Sequence, residues 1–398
     1  MKTIIINSFI ILFTVSLFGQ GINTTVEGNS KFAFELYKKL KEEKQNENLF
    51  FSPFSISSAL AMTYAGSKEE TQLEISKTLS FSLDQNKIHS DFNSLLEKLT
   101  YSKDSTQLCI ANSLWAQKDY LFLEDYFNLL KTKYNAGLEN VDFIDTAERE
   151  KTRIKINEWV ESKTNDKIKE ILKRDIMLNE NSRLVLVNAI YFLGKWNTPF
   201  NKEQTQKNIF YSTLNTKIES FFMNKTLSLK YFEDETLQTI EIPYKENKFS
   251  MIIILPKSNS AIENIEKTIS YDKYLQILNT MNNEMVELSI PKFKTTCELI
   301  LKNTLKNLGM TISFSDFADF SGITGRKDLK IGDVIHKAFI DVNEEGTEAA
   351  AATVVTFDYK SAHITPVKIF KADHPFMFII KETETGSILF MGKVINPN

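Results

Sequence analysis

Residues able to do chemistry are sparse in this chain: Cys109, Cys297 and the four histidines His89, His336, His363 and His374. None stands in a spacing that a reaction would require. There is no Gly-x-Ser-x-Gly elbow, no His-Glu-x-x-His, no Gly-x-Gly-x-x-Gly and no phosphate-binding Gly-Lys-Ser/Thr loop. Neither cysteine has metal-site spacing, so neither a metal nor a cofactor is expected. A hydrolytic constellation that converges only in space leaves no trace in a sequence, and that reading rests on no motif. The informative segment is one whose backbone could react. It runs Asp341-Val342-Asn343-Glu344-Glu345-Gly346-Thr347-Glu348-Ala349-Ala350-Ala351-Ala352-Thr353 and continues into Val354-Val355-Thr356-Phe357. In an extended chain, side chains alternate between faces. Thr347, Ala349, Ala351, Thr353, Val355 and Phe357 then share an uncharged face of mostly small residues. Glu348 and Asp358 fall on the other. Gly346 and the alanines are poor strand formers, and Glu348-Ala349-Ala350-Ala351-Ala352 also suits the start of an exposed helix.

The elements that must position this segment follow from pattern. Phe32, Ala33, Leu36, Tyr37 and Leu40 recur at helical spacing, as do Ile56, Ala59, Leu60 and Tyr64. Strand-like runs dominate later, at Leu184 to Leu193, Met251 to Leu255, Val286 to Ile290, Phe376 to Ile380 and Ile388 to Val394. Glu382-Thr383-Glu384-Thr385-Gly386 reads as the hairpin turn between the last two. Helices first and antiparallel strands after predict an α+β architecture. The 398 residues are 42% hydrophobic and 25% charged, enough for a large core. With 13 Gly, 8 Pro, no Ser/Gly run and no repeat, nothing divides the chain, and one domain is expected. A net charge of -3 with interspersed signs excludes a nucleic-acid footprint. Met1-Lys2, the apolar stretch Phe9 to Phe18 and Gly19-Gln20-Gly21 predict a secretory signal peptide over residues 1–20. That stretch is too short for a stable membrane span, so a secreted protein, extracellular or periplasmic, is expected.

Glu344-Glu345-Gly346-Thr347-Glu348-Ala349-Ala350 resembles the reactive-centre hinge of serpins, specifically inhibitory ones. Further matches keep the family's order. Asn48-Leu49-Phe50-Phe51-Ser52-Pro53-Phe54-Ser55-Ile56 resembles the lead into its second helix. Asn188-Ala189-Ile190-Tyr191-Phe192-Leu193-Gly194-Lys195-Trp196 resembles its central strand, with Leu193 where lysine is usual. Leu308-Gly309-Met310, Ala318-Asp319-Phe320-Ser321-Gly322-Ile323 and His336-Lys337-Ala338 follow. Asp373-His374-Pro375-Phe376 through Phe390-Met391-Gly392-Lys393-Val394 resembles the carboxy-terminal signature.

The resemblance implies a single serpin-type domain over residues 21–398, with three β-sheets, about nine helices and an exposed reactive-centre loop at about 344–366. Its hinge would be Glu344, Glu345, Gly346, Thr347, Glu348, Ala349, Ala350, Ala351, Ala352 and Thr353. The family places its scissile residue fourteen positions after the hinge glycine, which selects Lys360 with Ser361 following. Lysine there suits trypsin-like proteases; cleavage after Tyr359 or Phe357 would instead indicate chymotrypsin-like or subtilisin-like targets. Ser52, Ser55, Asn188 and His336 match a polar cluster beneath the point where the main sheet opens, and they either gate that opening or simply brace their segments. Cys109 and Cys297 would lie on non-adjacent strands as buried free thiols. The implied function is suicide inhibition, a monomer trapping a serine protease in a covalent 1:1 complex. The alternative is a non-inhibitory serpin acting as a carrier or chaperone. The region where some serpins bind sulfated sugars carries only Lys87 and Lys98, so little supports such activation.

Overall fold

Two faces of one sheet carry two separate cores, and the chain is laid out to fill both. The computed structural model describes residues 18–103, 105–174, 178–212, 216–257, 262–347 and 367–398. Ten α-helices occur among them: α1 (Phe18–Glu43), α2 (Pro53–Tyr64), α3 (Glu69–Thr78), α4 (Gln85–Leu99), α5 (Glu124–Tyr134), α6 (Thr146–Lys163), α7 (Ile262–Thr268), α8 (Tyr271–Thr280), α9 (Lys302–Asn307) and α10 (Ser321–Thr324). The strands in the first half of the chain are β1 (Leu49–Phe51), β2 (Tyr101–Lys103), β3 (Thr106–Gln117), β4 (Gly137–Val141) and β5 (Leu184–Lys195). Next come β6 (Gln206–Tyr211), β7 (Lys217–Glu233), β8 (Leu237–Pro243), β9 (Phe249–Pro256), β10 (Asn282–Pro291) and β11 (Phe293–Ile300). The last are β12 (Ile335–Asn343), β13 (Gly346–Thr347), β14 (Lys368–Lys371), β15 (Phe376–Glu382) and β16 (Ile388–Val394).

The main sheet runs β11-β12-β13-β5-β3-β2, with β4 also beside β3. A second array runs β1-β16-β15-β9-β8-β7-β10-β14, with β6 on β7. The 17-residue β7 makes that array continuous. Its first part pairs with β6 and β10, and its end pairs with β8. Taken as two ladders sharing β7, the strands make the three sheets expected, in an α+β fold. The ten helices among the described residues agree with the expected count of about nine, and β2 to β4 interrupt a first half read as mainly helical.

Local chemistry accounts for the elements nearest the hinge. In α1, Phe32, Ala33, Leu36, Tyr37 and Leu40 are all buried, as their spacing predicted. At the start of α2 the Ser52 side chain accepts from Ser55 N at 3.1 Å, and Pro53 takes the first helical position. That helix is buried nearly all round, small serines included, and lies in the interior, against β5 and β16. In β5, Ile190 and Phe192 enter the main core, while Val187 and Ala189 enter a smaller one with Ile156, Val160 and Trp115 under α6. Alternation on one strand thus serves both cores.

Candidate functional site: the hinge and its seam

The hinge begins where β12 ends. Glu344 and Glu345 turn the chain, and Gly346-Thr347 come back as β13 between β12 and β5. This strand is antiparallel to both neighbours, so β5 and β12 are mutually parallel. Among the described residues they are joined only through these two positions. Gly346 has φ +155°, and a Cβ there would lie 2.0 Å from the Gly194 carbonyl oxygen and 2.6 Å from Lys195 Cα. No residue with a side chain could approach β5 so closely. Gly194, opposite Thr347, is constrained as well: a Cβ on it would lie 2.7 Å from both Phe192 and Tyr244.

Thr347 points into the main core, where its hydroxyl is 2.6 Å from the Tyr244 hydroxyl. Tyr244 stacks on Trp196 with centroids 4.6 Å apart. Trp196 in turn grips the hinge backbone. Its Nε1 donates to the Asn343 carbonyl at 2.9 Å, and its amide donates to the Glu345 carbonyl at 2.8 Å. Phe200 N donates to the Glu344 carbonyl at 2.8 Å.

The two glutamates are anchors. Lys292 Nζ lies 3.0 Å from Glu344 Oε2, and the Thr205 hydroxyl donates to Oε1 at 2.9 Å. Burial alone would raise this carboxyl, but its own backbone amide, Lys292 and Thr205 outweigh that and hold it below the usual range. Glu345 pairs with Lys202 at 2.8 Å, which raises the lysine above its ordinary value. Residues 344–347 are therefore buried rather than part of an exposed loop, a correction to the expected loop start. Two ion pairs, each joining a buried glutamate to a lysine that reaches solvent, and two aromatic rings hold them down.

Ser52, Ser55, Asn188 and His336 do come together. Ser52 N donates to His336 Nε2 at 3.0 Å, and the Ser55 hydroxyl donates to Asn188 Oδ1. His336 belongs to β12 and Asn188 to β5, so the start of α2 bridges the two strands beneath the seam. His336 must keep Nε2 unprotonated to accept that bond, and burial pushes its pKa down to about 3. The sequence reading missed the cluster's continuation. Asn188 Nδ2 donates to Asn112 Oδ1 at 2.7 Å, and Asn112 Nδ2 donates to the Tyr134 carbonyl at 2.8 Å. One signal was available. Asn112 shares parity with Leu108, Ile110 and Leu114, so β3 carries an amide in the middle of an aliphatic run. Tyr244, Lys292, Lys202 and Thr205 are distant in sequence, and no pattern tied them to the hinge.

Of the expected site, Glu348, Ala349, Ala350, Ala351, Ala352, Thr353, Lys360 and Ser361 lie outside the described residues, as do Phe357 and Tyr359. Both cysteines are free, on the non-adjacent strands β3 and β11. Cys297 is buried, but Cys109 is only half-buried, where full burial was expected. No His/Cys/Asp/Glu cluster able to hold a metal occurs among the described residues.

A hinge glycine pressed against a central strand, beside a sheet seam braced by polar groups, is the arrangement the resemblance implied. The family model described as "Serpin (serine protease inhibitor)" matches residues 27–397. The chain belongs to the serpin family. It is 38% identical to human Serpin B3 over 94% of this chain and 100% of that protein. It is 39% identical to leukocyte elastase inhibitor A of Mus musculus, over 93% and 98% of the two chains. Among solved structures, human thyroxine-binding globulin complexed with its hormone has a TM-score of 0.85 at 31% identity, covering 95% of this chain and 100% of that one. A loop-inserted, cleaved ovalbumin with an Arg-to-Thr substitution has a TM-score of 0.85 at 29% identity, covering 94% and 100%. Serpins thus include protease inhibitors and a hormone-binding globulin.

Proposed function

We propose that this serpin is a secreted suicide inhibitor of serine endopeptidases, trypsin-like by preference, that is cut between Lys360 and Ser361. The observation that carries the reading is the register of Thr347. It already stands between Gly194 of β5 and Val342 of β12 with its side chain in the core. Continuing that register would bring Ala349 between Phe192 and Ile340, and Ala351 between Ile190 and Ala338. Those four neighbours are all buried, and the incoming side chains are small enough to join them. Thr353 would arrive between Asn188 and His336, the polar positions of an otherwise apolar track. The face chosen by parity is therefore the face that this register sends inward.

The mechanism follows from that motion. A serine protease attacks the Lys360 carbonyl carbon with its hydroxyl, expels the amine of Ser361 and is left as an acyl-enzyme. Cleavage frees the segment from Thr347 to Lys360 to pair with β5 and β12. Fourteen residues at about 3.3 Å each span roughly 46 Å. The ester-linked protease is carried that distance, and its catalytic groups are pulled out of the geometry that deacylation needs. The product is a covalent 1:1 complex formed by a monomeric inhibitor.

The leader over residues 1–20 supports secretion. Cleavage near Gly19 to Gly21 would fall in the first turn of α1 and spare Ile22, which packs against the main core. No helix among the described residues is long and apolar enough to cross a membrane.

A carrier reading is favoured by one observation, the likeness to thyroxine-binding globulin. It gives no reason for a glycine that only close strand contact requires, nor for the uncharged track that follows. Mixing the protein with trypsin and running a denaturing gel separates the readings. A stable high-mass band is expected, whereas cleavage with no such band favours the carrier. Mass spectrometry of the released fragment should give Ser361 as the new amino terminus. A fragment beginning at Lys360 or Asp358 moves the scissile residue to Tyr359 or Phe357, and the target class with it.

A further inference from the structure

Two consecutive residues in the β8–β9 connection, Glu246 and Asn247, have left-handed backbone, with φ +67° and +54°. Glycine takes that conformation freely, whereas a side chain crowds the following carbonyl. Such strain persists only where the surroundings over-determine it, and here they do. The Glu246 carboxylate gathers three donors from the neighbouring β2–β3 hairpin. Lys103 Nζ donates to Oε2 at 2.8 Å, the Ser105 hydroxyl donates to Oε1 at 3.2 Å, and the Tyr101 hydroxyl also donates to Oε2. Lys103 and then Tyr101 hold the carboxyl below its ordinary range.

Both ends of this contact lead to the seat of the hinge. On one side, Glu246 follows Tyr244 by two residues, and Asn247 N closes the turn by donating to the Tyr244 carbonyl at 3.0 Å. The Tyr244 ring is one that a Cβ on Gly194 would strike, and its hydroxyl meets Thr347. On the other side, the Ser105 carbonyl accepts from Lys195 N at 2.9 Å. Lys195 stands opposite Gly346, and its Cα helps to leave no room for a side chain there. The tyrosine that receives Thr347 and the strand end that receives Gly346 are thereby tied to one carboxylate.

We infer that Glu246 is a positioning residue for loop insertion, holding Tyr244 and the end of β5 in the arrangement that seats the hinge. The inference rests on the proposed inhibitory function. After acylation, insertion races deacylation, and a looser seat slows entry of the first residues of the incoming strand. Glu246 is exposed, so its bonds are partly screened, and a several-fold effect is expected rather than a complete loss. The test compares Glu246→Gly, which relieves the strained backbone and removes the three bonds, with Glu246→Gln, which can still accept from Tyr101 and Ser105. In intact Glu246→Gly, amide hydrogen exchange at Lys195 and Trp196 should be at least fivefold faster, with the amides of β9 and β15 unchanged. With trypsin, the fraction of inhibitor cleaved without being trapped should rise at least threefold. Glu246→Gln should stay within twofold of wild type in both measurements. Exchange within twofold of wild type in Glu246→Gly overturns the inference, as does a speed-up shared by β9 and β15. Faster exchange with an unchanged trapped fraction overturns it too, because the contact would then be merely structural. If the wild-type protein forms no covalent band with trypsin, the inhibitory reading falls, and exchange alone decides whether Glu246 holds the seat.

Discussion

Two regions of this serpin are built on opposite plans. In β9, β15 and β16 every residue is buried. Phe378 pairs with Ile253 on one side and Gly392 on the other, and the ladder between β9 and β15 is unbroken from Met377 to Glu382. Even the buried charges there are settled: Lys381 lies 3.1 Å from Glu241, and Lys393 lies 3.2 Å from Glu266. In the seam between β5 and β12, buried and partly exposed positions alternate along β12, and a two-residue strand makes the joint. Polar Asn188 and His336 replace aliphatics on the core face. The first plan fixes a structure. The second sets hydrogen-bonded polar groups where aliphatics would bury more apolar surface, at a cost in stability that the sealed ladder must cover.

The comparison breaks most visibly if the sealed ladder is cut. Phe378→Ala should destabilise intact and cleaved protein alike, by about 3–5 kcal/mol, because a fully buried ring is lost and the cavity cannot collapse. Paired melting curves check this, and an effect confined to one form would mean that the two regions are not independent.

Next in size is Thr347→Arg. The guanidinium would have to replace the hydroxyl beside Tyr244, buried and without an acidic partner, or hold the strand out. Trypsin should still cut the variant, but the covalent band should disappear. Glu348→Arg, on the opposite face, should be much milder. An intact band with Thr347→Arg would mean that this face does not need to be buried.

Acid probes the seam and the α4 packing without a mutation. His336 is held at about 3 and His89 at about 4, both by burial and both below the ordinary histidine value of 6.5. The unfolded chain therefore takes up protons below pH 6.5 that the folded protein refuses. Stability present above that pH should drain as pH falls toward 4, at up to about 1.4 kcal/mol per unit for each group. Melting temperatures from pH 7 to 4.5 should fall, and His336→Gln should flatten the slope.

The smallest effect concerns Leu193, where the family usually has lysine. The register of β13 would bring Glu348 between Leu193 and Asp341, with Lys294 3.8 Å from that aspartate. Leu193→Lys should stabilise the cleaved form by about 0.5–1 kcal/mol and leave the intact form nearly unchanged. Equal shifts in both would place Glu348 elsewhere.

Much of this was legible in the sequence, for a physical reason. Strand parity is local, so a face could be assigned from Thr347 onward, and Thr347, the one member of that face among the described residues, is buried. Helical spacing found α1 and α2, and turn chemistry found the β15–β16 hairpin. The polar cluster was legible only through the family resemblance, since Ser52, Asn188 and His336 are far apart in the chain. What could not be read was long-range compensation. Nothing near Glu344 announces Lys292 or Thr205, and nothing near Gly346 announces that the Gly194 carbonyl is what excludes a side chain. For the same reason the expected exposed loop start proved to be buried: two adjacent glutamates look solvent-facing until their partners are known.

The most direct test of insertion is the melting temperature before and after a single cut between Lys360 and Ser361, on protein shown by mass spectrometry to carry no other nick. Freed to pair with β5 and β12, the segment should raise the melting temperature sharply, because an added central strand brings new ladder hydrogen bonds and buries the alanine face. Equal melting temperatures for intact and nicked protein would contradict the account, since the cut would then have released nothing that the seam could take up.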